Sequence, residues 1–268
     1  MPSPFILVSP GATRGLGLAL TRQFLQTTTL PVYTSHRTHE STETLKKRIL
    51  EPIRDVDAKR LHLLHIDLNS EETIAQASHA LQKSLSAHCG EDPYLHTAFI
   101  TGGVLHPEKQ PGDINWGHVK ETFQVNVISH MLMIKHFSKF LPPGNAHPPH
   151  AFKLERPARW VHISARVGSI DDNHRGGWYS YRASKAALNQ VVKTFDIHLE
   201  MHHNDAICVG VHPGTVKTDL SRGFWGKEAR PELFEPDRAA ENLANVVENL
   251  KREQRGKIWD WAGEEVPW

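Results

Sequence analysis

Four apolar residues, Phe5-Ile6-Leu7-Val8, run almost directly into Gly11-Ala12-Thr13-Arg14-Gly15-Leu16-Gly17, and a helical pattern of Leu18, Leu20, Phe24 and Leu25 follows at once. No other stretch limits the fold so sharply. An unbroken apolar run is what a strand buried on both faces requires. Glycines between such a strand and a helix let the backbone turn tightly and approach a ligand closely. The helix N-terminus behind them offers free N–H groups to a phosphate. Strand, glycine turn and helix in that order point to a dinucleotide site. A Walker loop is excluded, because no Gly-Lys-Ser/Thr follows.

The alternation continues along the chain. A second strand is expected over Pro31-Val32-Tyr33-Thr34-Ser35, a polar helix over 41–56, and a third strand over 60–68 that ends in Asp67-Leu68. Residues 71–87 place Ile74, Ala77, Leu81 and Leu85 on one helical stripe, and 95–100 form a fourth strand closed by Thr101-Gly102-Gly103. A long helix is expected over 115–140, further strands over 159–163 and 206–211, a last helix near 237–252 and a final strand over 257–261. Strands alternating with helices argue for an α/β fold: a doubly wound parallel sheet of Rossmann type, covered by helices on both faces, in one domain spanning 1–268. The Pro- and His-rich stretch 142–158 reads as an exposed loop.

Two places carry chemistry. Tyr181 and Lys185 stand four apart in front of a helical run (Leu188, Val192, Phe195, Leu199), so phenol and ammonium share one helix face. A free phenol is too weak an acid to work at neutral pH, with a pKa of about 10, and a neighbouring cation favours its ionised form. The pair is suited to giving a proton to a carbonyl oxygen. A surface helix that merely carries both residues is the competing reading. The second place is the tip of the second strand, where a Rossmann fold reads the adenosine ribose: an acid accepts from the 2′-hydroxyl, a base accommodates a 2′-phosphate. No acid appears there before Glu40, whereas Arg37 follows the strand and Arg14 lies in the glycine turn. That two-arginine clamp favours NADP(H) over NAD(H), against the reading of two solvated surface arginines. Asn126 sits inside an apolar helical stretch that its propensity disfavours, so its amide is expected to be needed.

Charge and composition narrow the partners. The 31 basic and 30 acidic residues cancel, which leaves no field for nucleic acid or an anionic membrane. Two cysteines, Cys89 and Cys208, exclude a disulfide scaffold and suit a reducing compartment. No apolar run reaches membrane-spanning length and no secretory signal is evident, so a cytoplasmic location is expected. The 19 histidines are scattered. His198 and His202 have helical i,i+4 spacing but lack the His-Glu-x-x-His pattern, and no metal is expected.

Taken in order, these pieces resemble the short-chain dehydrogenase/reductase family over essentially the whole chain. The block Gly-Gly-Trp-Tyr-Ser-Tyr-Arg-Ala-Ser-Lys-Ala-Ala-Leu-Asn and the Pro-Trp ending look like its C-factor/carbonyl-reductase-like branch. Four motifs are matched: the glycines at 11, 15 and 17, the helix Asn126, Tyr-x3-Lys at Tyr181 and Lys185, and Pro-Gly-x-Val-x-Thr from Pro213 to Thr218. The resemblance implies NADP(H)-dependent hydride transfer between nicotinamide and a small-molecule carbonyl or alcohol. Tyr181 would donate the proton. Lys185 would lower its pKa and bond the nicotinamide ribose, and Asn126 would hold a water linking Lys185 to solvent. Cofactor contacts would come from Gly11, Thr13, Arg14, Gly15, Gly17, Arg37, Asp67, Leu68, Gly102, Tyr181, Lys185, Pro213, Gly214, Val216 and Thr218. Residues 219–236, with Phe224, Trp225, Leu233 and Phe234, fall where the family carries its substrate-binding lobe, and a homodimer or homotetramer is implied.

Three departures accompany the match. Pro10 stands where the family's glycine motif begins with Thr, and Ile100-Thr101-Gly102-Gly103 replaces Asn-Asn-Ala-Gly; Thr101 is expected to supply the hydroxyl missing at Pro10. The third is Ala165, which occupies the place of the family's serine, with Ser164 before it and Ser169 close by; Ser164 is favoured for the role. These changes also fit a competing reading, a catalytically impaired NADP(H)-binding regulator, and the chain could instead be a dehydrogenase working in the oxidising direction.

Overall fold

The computed structural model describes residues 3–88, 92–144, 154–225 and 233–268. Its strands are β1 (Ser3–Ser9), β2 (Val32–His36), β3 (Leu61–His65), β4 (Pro93–Ile100), β5 (Ala158–Ile163), β6 (Ala206–His212), β7 (Thr215–Val216), β8 (Leu233–Phe234), β9 (Ile258–Asp260) and β10 (Glu265–Val266). Eight of them form one sheet in the order β10-β9-β6-β5-β4-β1-β2-β3. All neighbours are parallel except β10, which returns antiparallel on β9. The doubly wound parallel sheet of the sequence reading is thus present, with an antiparallel edge it did not foresee. A three-residue stub such as β9 gives too short a periodic signal for its partner strand to be read from pattern.

Helices α1 (Gly15–Thr27), α2 (Thr42–Leu50), α3 (Glu71–His88), α4 (Trp116–Phe123), α5 (Ser129–Phe137), α6 (Tyr179–Met201) and α7 (Pro236–Asn249) cover the sheet. The strands' period of two sorts each of them between two cores. Phe5 and Leu7 join Trp160, Cys208 and residues of α3, α5 and α6 (Ile74, Met133, Phe195), while Ile6 and Val8 join Val161, Val209 and residues of α1 and α7 (Leu20, Phe24, Leu243). A strand buried on both faces cannot alternate with polar residues, which is why 5–8 read as a solid apolar run.

Two helices differ from expectation. α2 stops at Leu50 rather than 56, since Pro52 has no amide hydrogen with which to continue the helical bonding. The single helix expected over 115–140 is α4 and α5 joined by a π-helical turn, Gln124–Ile128, which holds Asn126. Of the stretch 142–158, positions 145–153 lie outside the described residues, as do 226–232 of the lobe and Cys89.

The strand order reverses between β1 and β4. Their carboxyl ends diverge there, and in open α/β sheets that crevice is where ligands bind.

Candidate active site

A cleft of about 1210 Å³ opens over this switch point. It exceeds the roughly 300–1,000 Å³ typical of a pocket for one drug-sized molecule, so it has room for an extended ligand with a second beside it. Gly11, Thr13, Arg14, Gly15, Gly17, Arg37, Asp67, Leu68, Gly102, Ser164, Tyr181, Lys185, Pro213, Gly214, Val216 and Thr218 all line it. Asn126 and Ser169 are not part of the lining.

One end is built from backbone. The amides of Gly11 and Ala12 donate to the Ser35 carbonyl of β2 at 3.0 and 3.1 Å, pinning the turn to the neighbouring strand. A Cβ at Gly17 would stand 2.1 Å from the Pro10 carbonyl oxygen, so only glycine lets α1 begin this close to β1. No side chain caps α1. Its first-turn amides are therefore open to the cleft, where an anion would meet both the free donors and the positive end of the helix dipole. Thr101 answers the Pro10 question in a particular way: its hydroxyl donates to the Pro10 carbonyl, and its amide to the Ser9 carbonyl at 2.8 Å. The two altered segments are joined. Asp67 uses Oδ1 to accept from the amide and side chain of Asn69 at 2.9 and 3.1 Å. Arg37 is exposed with no ion pair among the described residues, while Arg14 lies 3.4 Å from Asp219.

The other end is built from buried side chains. α6 carries Tyr181, 7 % exposed, and Lys185, 2 % exposed, one turn apart, with Lys185 Nζ 5.7 Å from the Tyr181 ring centre. Nζ donates to the Ile163 carbonyl at the end of β5 at 2.8 Å. Burial pulls the ammonium down to about 7 and pushes the Tyr181 phenol up. The sequence reading has Lys185 lowering the phenol. Without a ligand, desolvation dominates both groups, and Tyr181 is held protonated. Asn126 is fully buried and fully used: Oδ1 accepts from the Val104 amide at 2.8 Å, and Nδ2 donates to the Val104 carbonyl and the Ser184 hydroxyl, each at 3.0 Å. It ties the π turn, the segment after β4 and α6 together.

Both candidate serines have hydrogen-bond partners of their own. The Ser164 hydroxyl donates to Asn189 Oδ1 at 2.6 Å. That of Ser169 donates to the Trp268 carbonyl at 3.1 Å. Ser164 and Ala165 both line the cleft just beyond the end of β5, with the Ser164 hydroxyl turned to α6.

Sequence reasoning missed two supports of this end. Glu108, 1 % exposed, accepts from the Ser180 amide at 2.7 Å through Oε2 and from the Trp178 amide at 2.6 Å through its backbone carbonyl. It thereby caps α6, which has no side-chain cap of its own. The second is a histidine chain. Trp160 Nε1 donates to His162 Nε2 at 2.9 Å, the two histidine Nδ1 atoms lie 2.8 Å apart, and His130 Nε2 reaches the Gly102 carbonyl at 3.0 Å. An indole only donates, so neutral His162 carries its proton on Nδ1 and gives it to His130, which donates from Nε2 to Gly102. Burial depresses both, His130 to about 3. Histidines facing each other from β5 and α5 leave no local pattern to find.

Fold and cleft define a nucleotide-type α/β domain architecture with a tyrosine–lysine pair at its switch point. The family model described as short chain dehydrogenase matches residues 6–229, and the chain belongs to that family. Among its relatives, C-signal of Myxococcus xanthus is 31 % identical over 157 residues, covering 59 % of this chain and 82 % of the relative. An NADPH-bound carbonyl reductase from chicken fatty liver superposes with a TM-score of 0.79 at 22 % identity, each chain covered in full. A short-chain dehydrogenase/reductase from Burkholderia multivorans with bound NADP gives 0.72 at 25 % identity, again over the whole of both chains. Within the described residues no helix is long and apolar enough to cross a membrane, and no three metal-ligating side chains cluster.

Proposed function

We propose that this chain is an NADP(H)-dependent reductase of aldehydes or ketones. The observation that carries the reading is the placing of a buried, protonated Tyr181 beside Lys185 in the same cleft as an uncapped, glycine-built helix N-terminus. The cleft's residues fit the cofactor. The open first-turn amides of α1 suit a pyrophosphate, Arg14 and Arg37 suit a 2′-phosphate, and Asp67, Leu68 and Gly102 would flank the adenine side. Thr218 leans on the turn, 3.3 Å from where a Gly15 Cβ would lie, so Pro213, Gly214, Val216 and Thr218 would close the cleft over the nicotinamide half. Bound NADPH supplies the hydride.

Protein groups do the rest. The Tyr181 phenol donates its proton to the carbonyl oxygen as negative charge develops there. Lys185, anchored on Ile163, keeps a positive charge near the phenolate left behind and hydrogen-bonds the nicotinamide ribose. Asn126 fixes the π turn against α6 and so holds the pair in register. With the Ser164 and Ser169 hydroxyls spent elsewhere, Tyr181 is the donor to the substrate oxygen. A protonated phenol is the form that reduction requires, and a buried tyrosine–lysine pair is something a non-catalytic binder has no need of. The reading includes a cytoplasmic protein of one domain. It also includes association of copies through α4, α5 and α6, where Trp116, Met131 and Met201 are exposed by 72, 52 and 71 %.

Titration with NADPH and NADH, then turnover of a carbonyl panel by wild type and Tyr181→Phe, tests this. Turnover that vanishes in the variant while NADPH still binds supports the reductase. Turnover that survives in the variant means another group gives the proton, and tight NADPH binding with no turnover at all favours the regulator.

A further inference from the structure

The segment just ahead of α6 is curled in an unusual way. Gly176, Gly177 and Trp178 are left-handed in succession, with φ of +61, +68 and +49°. Glycine adopts that conformation freely; tryptophan does so against its Cβ, and such outliers persist only where the surroundings impose them. Here they do. The Trp178 amide is held by the Glu108 carbonyl at 2.6 Å, and its carbonyl accepts from the Arg182 amide at 2.8 Å. Arg182 Nε then reaches back to the carbonyls of Gly176 and Gly177 at 3.2 and 3.1 Å, and Nη1 to that of Val167 at 3.3 Å.

The hook presents two things to the cleft. One is the Trp178 ring, edge-on to Tyr181 at 6.1 Å and packed on Phe224 at 4.7 Å, so an aromatic wall stands directly beside the proton donor. The other is charge. Of the acids lining this end, Asp172 pairs with Arg166 at 2.7 Å and Asp219 with Arg222 at 2.6 Å, and Glu121 is hydrogen-bonded to His106 at 2.9 Å. Arg175 and Arg182 line the cleft as well, and neither has a carboxylate partner among the described residues. Burial and then Arg175 disfavour the charge on Arg182, and Asp172, already paired with Arg166, favours it. Two like charges, one of them fixed by backbone carbonyls, stand at the mouth without a carboxylate of their own.

We propose that the substrate is a carbonyl compound with an aromatic or apolar body and an anionic group, a carboxylate, the body resting on Trp178 and Phe224 and the anion meeting Arg175 and Arg182. This rests on the reductase reading above and names its substrate class. The step is the ordinary one: hydride to the carbonyl carbon, the Tyr181 proton to its oxygen, the carboxylate unchanged. A planar, bidentate guanidinium is the side chain best shaped to read such a group.

The test uses matched pairs, 3- and 4-carboxybenzaldehyde against their methyl esters, with NADPH, wild type and Arg175→Gln. The acids should show KM lower by roughly three- to tenfold, the range for a partly solvated charge pair, and the advantage should shrink with added salt. Arg175→Gln should erase the difference and leave the esters unchanged. Esters reduced as well as or better than acids, or a variant that slows both alike, overturns the inference while leaving the reductase standing. If neither acid nor ester is reduced although NADPH binds, the reductase reading itself falls and takes the inference with it.

Discussion

The two ends of the cleft are made in different ways. At the glycine turn, position is fixed by exclusion: a Cβ at Gly17 would strike the Pro10 carbonyl at 2.1 Å and crowd the Gly11 Cα at 3.0 Å, both of them backbone atoms. At the Tyr181 end, position is fixed by attachment, through hydrogen bonds of Asn126 and Glu108, side chains drawn from two different segments. A site made by exclusion tolerates no added atom. A site made by attachment tolerates no lost one, because each buried partner left behind keeps its desolvation penalty. The contrast sets what substitution should do at each end.

The largest effect should come from Tyr181→Phe, which removes a proton donor without opening a cavity. Turnover should fall by about 10²–10⁴ with NADPH affinity nearly intact, read by steady-state rates and titration. A fall below tenfold would mean another group gives the proton. Next, Asn126→Ala strands the Val104 amide and carbonyl at a fully buried site and takes one of the Ser184 hydroxyl's two partners, so stability should drop by about 2–3 kcal/mol in denaturant unfolding. Gly17→Ala should do the opposite kind of damage. It should cost about 1–3 kcal/mol from overpacking, together with loss of nucleotide binding. If Asn126→Ala spared stability and Gly17→Ala spared binding, the distinction between the two ends would collapse.

Proton linkage gives a smaller but signed effect. Burial lowers Lys185 from 10.5 to about 7, so between those values the unfolded chain binds a proton that the folded chain does not. Stability of the cofactor-free protein should therefore rise with pH across that window, by up to about 1.4 kcal/mol per unit. Melting curves of wild type and Lys185→Met from pH 7 upward read it: the variant's advantage should shrink as pH rises, and parallel curves would contradict the burial. Smallest is Arg37→Gln at the exposed end, expected to weaken NADPH several-fold and leave NADH unchanged.

Much of the glycine end was legible in the chain itself. Phe5 to Val8, the glycines at 11, 15 and 17, and the arginines at 14 and 37 are near in sequence, and their spacing is their geometry. Tyr181 and Lys185 were legible for the same reason, being one helical turn apart. The partner of the Ser164 hydroxyl was not legible, because Asn189 reaches it from α6 across a gap of 25 residues in sequence. Glu108 escaped because it caps a helix that begins 71 residues later, at Tyr179.

By itself the sequence determined the doubly wound sheet, the order of its elements and the glycine turn that opens α1, since each follows from periodicity or from residues within reach of one another. Only the tertiary structure decided which hydroxyls and amides are free to act. Hydrogen-bond partners such as Ser164 with Asn189, or His162 with His130, are chosen by packing across the sheet, and burial then sets the protonation of Tyr181 and Lys185.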